Sequence, residues 1–529
     1  MGGTRNRRTA SIAASAVAVA AALASLAAAS DSAQPPRAGQ ASRPSHHRSY
    51  TDPLARGRLP RGARLLYVGR AAPVHPVRPG FLGLSLEYPA VEAYAGRDPS
   101  AVNPVFLQLV RNLTPSQTPV LRIGGDSTDW TWWPARGMRR PGGVRYALTP
   151  GWLSVTRALA SQLGARLILG LNLEAGNPRI PYVEASALLS GIPRANLEAL
   201  EPGNEPELYG TWTYYRARDG RKVTGRPSSY SFGDFEGDFG SVRRRLPREP
   251  FAGPTTGSLD WMPYLRGFLG AEPHLALVTL HRYPLQRCYF PRSSPRYPTI
   301  AHLLSPAASR GLAALFSAYV RLAHAHGVPL RVDEINTIGC GRDRPVAGTF
   351  ASALWALDTL LALARQGVDG VNVHTYPGAT YELFAFSRSA GRWRARVMPE
   401  YYGLLAFALA VPPASQPLTL SGPDSRALSA WALRAPGGGT RVILINEGDR
   451  GQRIAVRLPA GGSTTATLLR LGAPRAGARD HIELAGQSFG SSTSTGRLAG
   501  PARVGRLRPT AGAFVVDVPP TSAAILIAR

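Results

Sequence analysis

The sequence predicts a (β/α)8 barrel followed by a C-terminal antiparallel β-sandwich. Short apolar runs recur between Phe81 and His374, and segments of helical pattern fill the intervals between them. After about residue 399 the pattern changes to alternating strands separated by Gly, Pro and Ser turns. A doubly wound open sheet is the alternative, but no Gly-rich phosphate-binding fingerprint follows the first predicted strand. The barrel is therefore the favoured fold.

The N-terminal 30 residues are typical of a secretory signal peptide. Arg5, Arg7 and Arg8 precede a segment rich in Ala, Val and Leu, and residues 27–29 offer a small-residue cleavage site. A membrane anchor is the alternative, but the alanines and serines make this segment weakly apolar for a stable span. Residues 31–60 are rich in Pro, Ser and Arg, which predicts a disordered linker. We expect a secreted protein without stable membrane insertion. Retention at the cell surface after secretion is the alternative.

The net charge and the cysteine count limit the classes of partner and site that the sequence is expected to have. The net charge of +28 comes almost wholly from arginine, because Lys222 is the single lysine. The arginines are spread along the chain with no basic run interleaved with aromatics, so a nucleic-acid partner is not expected, whereas acidic glycans would be attracted. The two cysteines, Cys288 and Cys340, are compatible with one disulfide in an exported protein and are too few for a metal site.

Eight candidate strands account for the barrel, which we place at residues 79–398. They are "FLGLSLEY", "VLRIGG", "RLILGLNL", "LEALEPGN", "FAGPTTG", "LALVTLHRY", "LRVDEIN" and "GVNVHTY". Residues 61–78, with "ARLLYVGR", lie outside this count and are expected to add a strand to the sandwich at residues 399–529. Six further strands predict that sandwich: "RALSAWALR", "TRVILINEG", "QRIAVRLPA", "TTATLLRLGA", "GAFVVDVPP" and "SAAILIAR".

Polar and ionisable residues collect at the ends of the predicted barrel strands. In a (β/α)8 barrel the active site lies at the carboxyl ends of the strands, so we expect these side chains to surround one cleft. The candidates are Glu87, Tyr88, Asp126, Asn172, Asn204, Glu205, His281, Tyr283, Glu334, Asn336, His374 and Tyr376.

Two of these residues are a natural catalytic pair. Glu205 follows the fourth strand and Glu334 ends the seventh, so their carboxylates are expected to face each other. Hydrolysis of a glycosidic bond with retained configuration needs one carboxylate nucleophile and one carboxylic acid, about 5 Å apart. Charge repulsion within such a pair lets one member keep its proton near neutral pH. The pair therefore predicts a retaining glycosidase.

The motifs resemble those of the retaining clan A glycoside hydrolases and, in finer detail, glycoside hydrolase family 79, the β-glucuronidase and heparanase group. The motifs that carry the resemblance are, in chain order, "FLGLSLEY", "LRIGGDSTD", "PGNEPELY", "HRYPLQRC", "DEINTIGCG", "HTYPG", "PEYYGLLAFA" and "LAGQSFG". Together they extend over roughly residues 60 to 529. Asn-Glu-Pro alone is a weak signal, whereas the ordered series is specific.

The resemblance implies roles for the catalytic pair and its neighbours. Glu205 would be the acid/base and Glu334 the nucleophile. Asn204 would bind the sugar 2-hydroxyl, where hydrogen bonds strengthen in the transition state. His281 and Tyr283 would hold the nucleophile in place.

The resemblance also implies contacts to the sugar. Glu87 and Asp126 would meet sugar hydroxyls. The uronate carboxylate would be bound by backbone N–H groups near Gly339 and Gly341 together with Tyr401. In this loop Cys340 stands between the two glycines, where some relatives have adjacent glycines.

Together these features predict a secreted retaining β-glucuronidase-like enzyme that acts on a carbohydrate containing uronic acid and needs no cofactor or metal. Cys288 and Cys340 follow strands six and seven, which are neighbours in a barrel, so a disulfide between those loops is reasonable. One alternative is a clan A exo-glycosidase that acts on a neutral sugar such as glucose or xylose. The other is a secreted non-catalytic glycan-binding protein, against which the presence of both glutamates argues.

Overall fold

The computed structural model describes residues 58–341, 343–422, 425, 427–459 and 463–529. The predicted signal peptide, and the predicted linker up to residue 57, lie outside the described residues. Within the described part of the chain, no helix is both long enough and apolar enough to cross a lipid bilayer.

Eight parallel strands form the barrel, which confirms the predicted fold. The chain first forms an outlying strand, β1 (Arg64–Ala71), and then the barrel strands. These are β2 (Leu82–Glu87), β3 (Val120–Gly124), β4 (Arg166–Leu171), β5 (Leu197–Pro202), β6 (Ala252–Thr256), β7 (Leu277–Arg282), β8 (Leu330–Ile335) and β9 (Gly370–Thr375). Neighbours pair in the order β6-β7-β8-β9-β2-β3-β4-β5, and a bridge between Leu200 and Phe251 joins the two ends.

Helices surround the barrel and fill the intervals between its strands. They are α1 (Tyr88–Ala95), α2 (Pro104–Leu113), α3 (Ser127–Trp130), α4 (Pro150–Leu163), α5 (Arg179–Gly191), α6 (Phe232–Arg245), α7 (Leu265–Ala271), α8 (Ile300–Leu303), α9 (Leu312–Ala314), α10 (Ser317–Ala325), α11 (Arg344–Ala347), α12 (Phe350–Arg365) and α13 (Pro399–Ala410). Local sequence fixes their ends. The Asn103 side chain accepts the N–H groups of Val105 and Phe106 at the start of α2, and Gly164 ends α4 in the left-handed conformation.

Helix α13 corrects the predicted boundary between barrel and sandwich. The sequence places residues 399–410 in the sandwich, but α13 packs against α12 and α2 and is the eighth helix of the barrel. The contact with α12 depends on Gly403, because a Cβ atom there would lie 2.0 Å from the carbonyl oxygen of Ala353. Helix α12 is buried along its whole length except at Arg365, which explains its almost unbroken apolar sequence.

The C-terminal region is a folded-over sheet that includes β1. A hairpin, β10 (Phe384–Ser389) and β11 (Arg392–Val397), precedes α13, and the remaining strands follow it. They are β12 (Gln416–Ser421), β13 (Leu428–Arg434), β14 (Thr440–Asn446), β15 (Gln452–Arg457), β16 (Ala466–Gly472), β17 (Glu483–Leu484), β18 (Gly505–Leu507), β19 (Phe514–Val518) and β20 (Ser522–Ala528). Strand β1 lies between β12 and β15, antiparallel to the first and parallel to the second. Side chains from both halves of the sheet, such as Leu66, Val442 and Val516, share one core.

A charged cluster fastens the segment between β1 and β2 to the barrel. Buried Asp369, just before β9, accepts hydrogen bonds from the N–H group of Leu330 and from His324 on α10, at 2.7 Å each. His75 approaches the same carboxylate at 3.2 Å and Arg78 at 2.6 Å. The hydrogen bond to Asp369 raises the pKa of His75 above its ordinary value, although partial burial opposes the shift. The pKa of Asp369 is lowered, because these partners outweigh the effect of its burial.

These shifts predict a pH-dependent contribution to stability. A raised histidine pKa stabilises the fold fully below about pH 6.5, and this contribution is lost as the pH rises through the folded-state value. The lowered pKa of Asp369 adds stability above about pH 4, which is lost on acidification. Asp369→Asn should therefore lower the unfolding free energy by about 1–3 kcal/mol near pH 5.5, and by less near pH 8.5, where the contribution of protonated His75 is reduced.

Thermal unfolding at the two pH values measures this difference. Asp517→Asn is the matched control, because it removes an exposed ion pair with Arg453 and should cost little at either pH. An equal loss of stability for Asp369→Asn at pH 5.5 and pH 8.5 would show that the histidine charge does not contribute.

Candidate active site

The carboxyl ends of the barrel strands bring Glu205 and Glu334 together. Glu205 follows β5 in the left-handed region, with φ 46° and ψ 56°, which is unusual for a residue with a side chain. Two backbone hydrogen bonds hold this turn: the Glu205 N–H donates to the Thr255 carbonyl at 3.1 Å, and the Leu208 N–H donates to the Glu205 carbonyl at 2.9 Å. Backbone in such a conformation is characteristic of functional sites, where surrounding structure holds it in place.

Glu334 lies inside the barrel near the end of β8 and is almost fully buried. Its Oε2 accepts a hydrogen bond from the Arg122 guanidinium at 2.6 Å, and its Oε1 accepts one from the Tyr283 hydroxyl at 2.7 Å. Both carboxylate oxygens therefore have strong donors, which fixes the side-chain orientation.

The separation of the two carboxylates matches that of retaining glycosidases. One carboxylate oxygen of Glu205 and one of Glu334 lie within 4.8 Å of each other. Retaining enzymes place the two groups about 5–5.5 Å apart, whereas inverting enzymes leave about 6.5–9.5 Å for a water molecule. The geometry thus suits a direct attack by one carboxylate on the substrate.

The surroundings of Glu334 favour its ionised form. Burial by itself would raise the pKa of this carboxyl, but the positive charges of His374, His281 and Arg122 outweigh that effect. With the Tyr283 hydrogen bond, they hold the pKa of Glu334 well below its usual range. Glu334 is therefore a carboxylate over the whole physiological pH range, as a nucleophile must be.

His281 contacts the other glutamate. Its Nδ1 donates to Glu205 Oε1 at 3.2 Å, and its Nε2 lies 3.0 Å from Thr255 Oγ1 and 3.6 Å from Asp333. Desolvation lowers the pKa of the imidazole, but the charges of Asp333 and Glu334 raise it well above the ordinary value overall. The expectation that His281 and Tyr283 both hold the nucleophile is thus corrected: Tyr283 contacts Glu334, whereas His281 contacts Glu205.

A buried charge network below the pair was not predicted from the sequence. Arg122 in β3 is fully buried, and its Nε donates to Glu201 at 2.6 Å and lies 3.0 Å from Asp333. Burial raises the pKa of Glu201 to about 8 despite the charge of Arg122, with a further contribution from the charge of Asp333 and from a hydrogen bond to it. Asp333 has a lowered pKa, because His281 and Arg122 outweigh its burial. Glu201 and Asp333 therefore share one proton at neutral pH.

Asn204, Glu87 and Asp126 line the opening around the pair. Asn204 Oδ1 accepts from Arg122 at 2.9 Å, which leaves the amide Nδ2 of Asn204 as a donor toward the cleft. Glu87 accepts the Ser127 N–H at 2.7 Å and approaches His374 Nε2 at 3.3 Å.

Asp126 is the solvent-accessible acid of this opening. The protein around it desolvates its carboxyl group, which raises its pKa well above the ordinary value. The charges of Glu87, Glu205 and Glu334 raise it further. An exposed carboxyl group at this position can form a hydrogen bond with a bound ligand.

Three predicted substrate contacts are contradicted. Asn336 is fully buried, and its amide donates to the His374 carbonyl at 2.9 Å. Tyr401 is fully buried on α13, where its hydroxyl donates to the Leu109 carbonyl at 2.7 Å. The Gly339 N–H donates to the Leu285 carbonyl at 2.9 Å and is not free for a carboxylate. Gly341 is exposed and in the left-handed conformation, with φ 85°. Its contact with the uronate carboxylate remains a prediction.

Two tyrosines extend the site: Tyr376, which the sequence places at a strand end without a role, and Tyr381, which the sequence analysis does not single out. The ring of Tyr381 lies beside that of Tyr283, and the ring of Tyr376 lies beside that of Tyr381. Their ring centroids lie 6.0 Å and 6.1 Å apart, respectively. This row of aromatic rings reaches Glu334 through the Tyr283 hydroxyl. Tyr376 follows β9 directly, so its position at a strand end is a signal available from the sequence.

The predicted disulfide is confirmed. Cys288 and Cys340 are bonded, with their Cα atoms 5.9 Å apart, and they join the loops after β7 and β8.

The positions of the acidic side chains in the site can be explained without a metal ion. Glu205, His281 and Glu334 have ligand-type atoms close together, but both oxygens of Glu334 already accept hydrogen bonds from the protein.

The fold and the site define the class: a (β/α)8-barrel glycoside hydrolase. No protein-family model matches the chain. It is similar to a β-glucuronidase from Neurospora crassa, with 24% identity over 432 residues that cover 72% of this chain and 74% of that protein. The predicted resemblance to the glucuronidase group and the prediction of a glycosidase are thereby confirmed.

Two solved structures show the same fold. A 4-O-α-L-rhamnosyl-β-D-glucuronidase from Fusarium oxysporum 12S superimposes with a TM-score of 0.68 and 18% identity, covering 87% of this chain and 99% of that chain. A family 51 arabinofuranosidase from Xanthomonas axonopodis pv. citri gives a TM-score of 0.60 and 14% identity, covering 88% of this chain and 100% of that chain.

The Tyr283 hydrogen bond gives a testable pH effect. Tyr283→Phe removes a donor that favours the ionised form of Glu334, so the pKa of Glu334 should rise by about one unit. We expect the acid limb of the kcat/KM profile to move to higher pH and kcat to fall by about tenfold.

The profile of the variant with a nitrophenyl glycoside that the wild type cleaves measures both effects. Tyr402→Phe is the control, since it removes the buried hydroxyl that accepts the Phe489 N–H, remote from Glu334. An unshifted acid limb for Tyr283→Phe would refute the role assigned to this hydrogen bond.

Proposed function

We propose that the protein is a retaining β-glucuronidase that removes β-D-glucuronic acid from the non-reducing end of oligosaccharides or glycoconjugates. The observation that carries the mechanism is the close approach of the Glu205 and Glu334 carboxylates, with Glu334 held ionised. The substrate class is supported by the similarity to the Neurospora β-glucuronidase and by the fold shared with the Fusarium glucuronidase.

In the first step Glu334 attacks the anomeric carbon while the bond to the leaving oxygen breaks. Glu205 donates its proton to that oxygen, so the aglycone departs as a neutral alcohol and a glycosyl ester on Glu334 remains. Oε1 of Glu205 accepts from His281, which leaves Oε2 to carry the proton toward the leaving group.

In the second step Glu205, now a carboxylate, removes a proton from water. The hydroxide attacks the anomeric carbon, the ester bond breaks, and Glu334 is restored as a carboxylate. Two inversions at one carbon leave the sugar in its original configuration. The Arg122 and Tyr283 hydrogen bonds stabilise Glu334 as the leaving carboxylate in this step.

The other residues of the opening would bind the sugar. Asn204 Nδ2 is placed to donate to the 2-hydroxyl, and Glu87 and Asp126 are placed for other hydroxyls. Gly341 and the tyrosine hydroxyls at positions 376 and 381 are our candidates for the uronate carboxylate, since Gly339 and Tyr401 are committed elsewhere.

A second candidate is a retaining exo-glycosidase that acts on a neutral sugar. The observation in its favour is that two of the predicted carboxylate contacts, Gly339 N–H and Tyr401, are occupied by the protein itself. The fold shared with a family 51 arabinofuranosidase is consistent with it.

We also propose that residues 1–30 direct export and are removed, and that the mature protein comprises a linker, the barrel and the C-terminal sheet. The arginines before the apolar segment and the disulfide support this. Expression of the full chain in a secreting bacterial host should give a mature protein that begins near residue 31, as determined by intact mass. A secreted protein that retains Met1 would contradict cleavage.

Release of nitrophenol from its β-glucuronide, β-glucoside and β-xyloside tests the substrate and the roles together. We expect activity confined to the glucuronide. Glu334→Gln should lower kcat by at least about 10⁴-fold, because the nucleophile is lost. Glu205→Gln should lower it by about 10²–10⁴-fold, and by much less for a 2,4-dinitrophenyl glucuronide, whose leaving group needs no proton.

Glu198→Gln is the matched control, because Glu198 lies on β5, the strand that Glu205 follows, but pairs with Arg166 near the surface, and its substitution should leave activity unchanged. Activity on the glucoside or xyloside would favour the second candidate and keep the mechanism. Inactivity of the wild type on all three substrates would contradict both candidates and favour a glycan-binding protein.

A further inference from the structure

Two large aromatic side chains stand exposed above the cleft and face each other. Trp212 is 41% exposed and Tyr289 is 51% exposed. Their ring centroids lie 6.2 Å apart, and their planes are inclined by 26°, so the two rings are stacked. Most of the large aromatics in the described chain are buried, so this exposed pair, which we name the aromatic platform, needs an explanation.

Trp212 is tied to the acid/base by consecutive backbone hydrogen bonds. The Leu208 N–H donates to the Glu205 carbonyl at 2.9 Å, and the Trp212 N–H donates to the Leu208 carbonyl at 2.8 Å. A short turn of 3-10 helix, Pro206–Leu208, lies between Glu205 and Trp212. The backbone of Trp212 is therefore fixed on the short turn that follows Glu205, at the carboxyl end of the barrel.

Tyr289 is tied to the nucleophile's side of the cleft. It follows Cys288, whose disulfide with Cys340 joins its loop to the loop after β8. The Arg287 N–H also donates to the Cys340 carbonyl at 3.2 Å.

The Tyr289 hydroxyl is also close to the acids of the cleft. Partial desolvation raises its pKa, and the charges of Glu205, Asp126 and Glu207 add to that rise. Tyr289 also lies in the loop after β7, at the same end of the barrel as Glu205.

We propose that the aromatic platform of Trp212 and Tyr289 binds the first ring of the leaving group, so that the preferred substrates are glucuronides whose aglycone presents a ring face, either a pyranose or an aryl ring. This inference rests on the proposed function. A group that contacts the leaving group must lie beside the acid/base, because that residue protonates the leaving oxygen. Aromatic faces bind other ring faces through dispersion and burial of apolar surface.

Substrates that differ only in the leaving group test the inference. The wild type and Trp212→Ala would be compared with 4-nitrophenyl β-glucuronide, 2,4-dinitrophenyl β-glucuronide, a β-glucuronosyl disaccharide and β-D-glucuronyl fluoride. We expect Trp212→Ala to lower kcat/KM about tenfold for the substrates with a ring and less than twofold for the fluoride. Trp212→Phe should restore most of the loss, and Tyr289→Ala should act in the same direction.

The two aryl glucuronides distinguish two possible actions of Trp212: binding the ring of the leaving group, and positioning Glu205. If Trp212 acted only by positioning Glu205, the loss would be large for the nitrophenyl substrate and small for the dinitrophenyl substrate, which needs no proton. That result would overturn the inference. Equal losses of kcat/KM on both aryl substrates would support the inference. A similar loss on the disaccharide would extend the inference to a sugar ring as the aglycone.

Tyr182→Ala is the control variant, because Tyr182 is 40% exposed on α5, an outer helix of the barrel. It should change no kcat/KM value. Unchanged values for Trp212→Ala in an enzyme that cleaves the glucuronides would overturn the aromatic platform and leave the proposed function intact. A wild type that cleaves none of the substrates, including the fluoride, would overturn both.

Discussion

The buried guanidinium of Arg122 is the interaction on which the site depends. It reaches Glu201 on β5, Asp333 and Glu334 on β8, and Asn204 after β5, so one cation joins three strands of the barrel. A buried cation is costly unless anions and hydrogen-bond acceptors surround it. The strands must therefore keep the register that supplies these acceptors, and the same register sets where Glu334 points. The geometry of the nucleophile follows from the need to satisfy Arg122.

The acids around this cation are arranged so that the site remains close to electrical balance. Three carboxyl groups, those of Glu201, Asp333 and Glu334, lie beside the Arg122 guanidinium, and His281 adds a second positive charge next to Asp333. All three carboxyl groups, if ionised, would exceed the charge of these two cations. Glu201, with a pKa of about 8, keeps its proton and shares it with Asp333, which stays ionised. The protonated Glu201 accepts from Arg122 without adding a second negative charge. Asp333 and Glu334 are then the two anions that face Arg122 and His281, and Glu334 is available for reaction yet firmly oriented.

Much of the fold and the catalytic pair could be predicted from the sequence, because each buried strand is a short apolar run that ends in polar residues. Glu205 and Glu334 were found because they lie at such ends. Arg122 was missed although it gives a signal: one charged residue inside the apolar run "VLRIGG" must be paired in the core. Tyr401 could not be placed, since its hydroxyl is bonded to the Leu109 carbonyl, 292 residues away, and only the packing of α13 brings them together. The Gly339 N–H is likewise committed by a loop contact that no local pattern shows.

Two chemically identical side chains can take different roles here because their neighbours differ. Glu334 has a donor on each oxygen, one of them a buried cation, so its negative charge is stabilised before substrate binds. Glu205 receives one N–H from His281 on Oε1 and is partly open to the cleft, so its other oxygen can gain and lose a proton during the reaction. The left-handed backbone at Glu205 turns this side chain across the barrel toward Glu334. The proposed retention of configuration thus follows from the different surroundings of Glu205, after β5, and Glu334, on β8. Exchanging the two roles would require moving Arg122 to another strand.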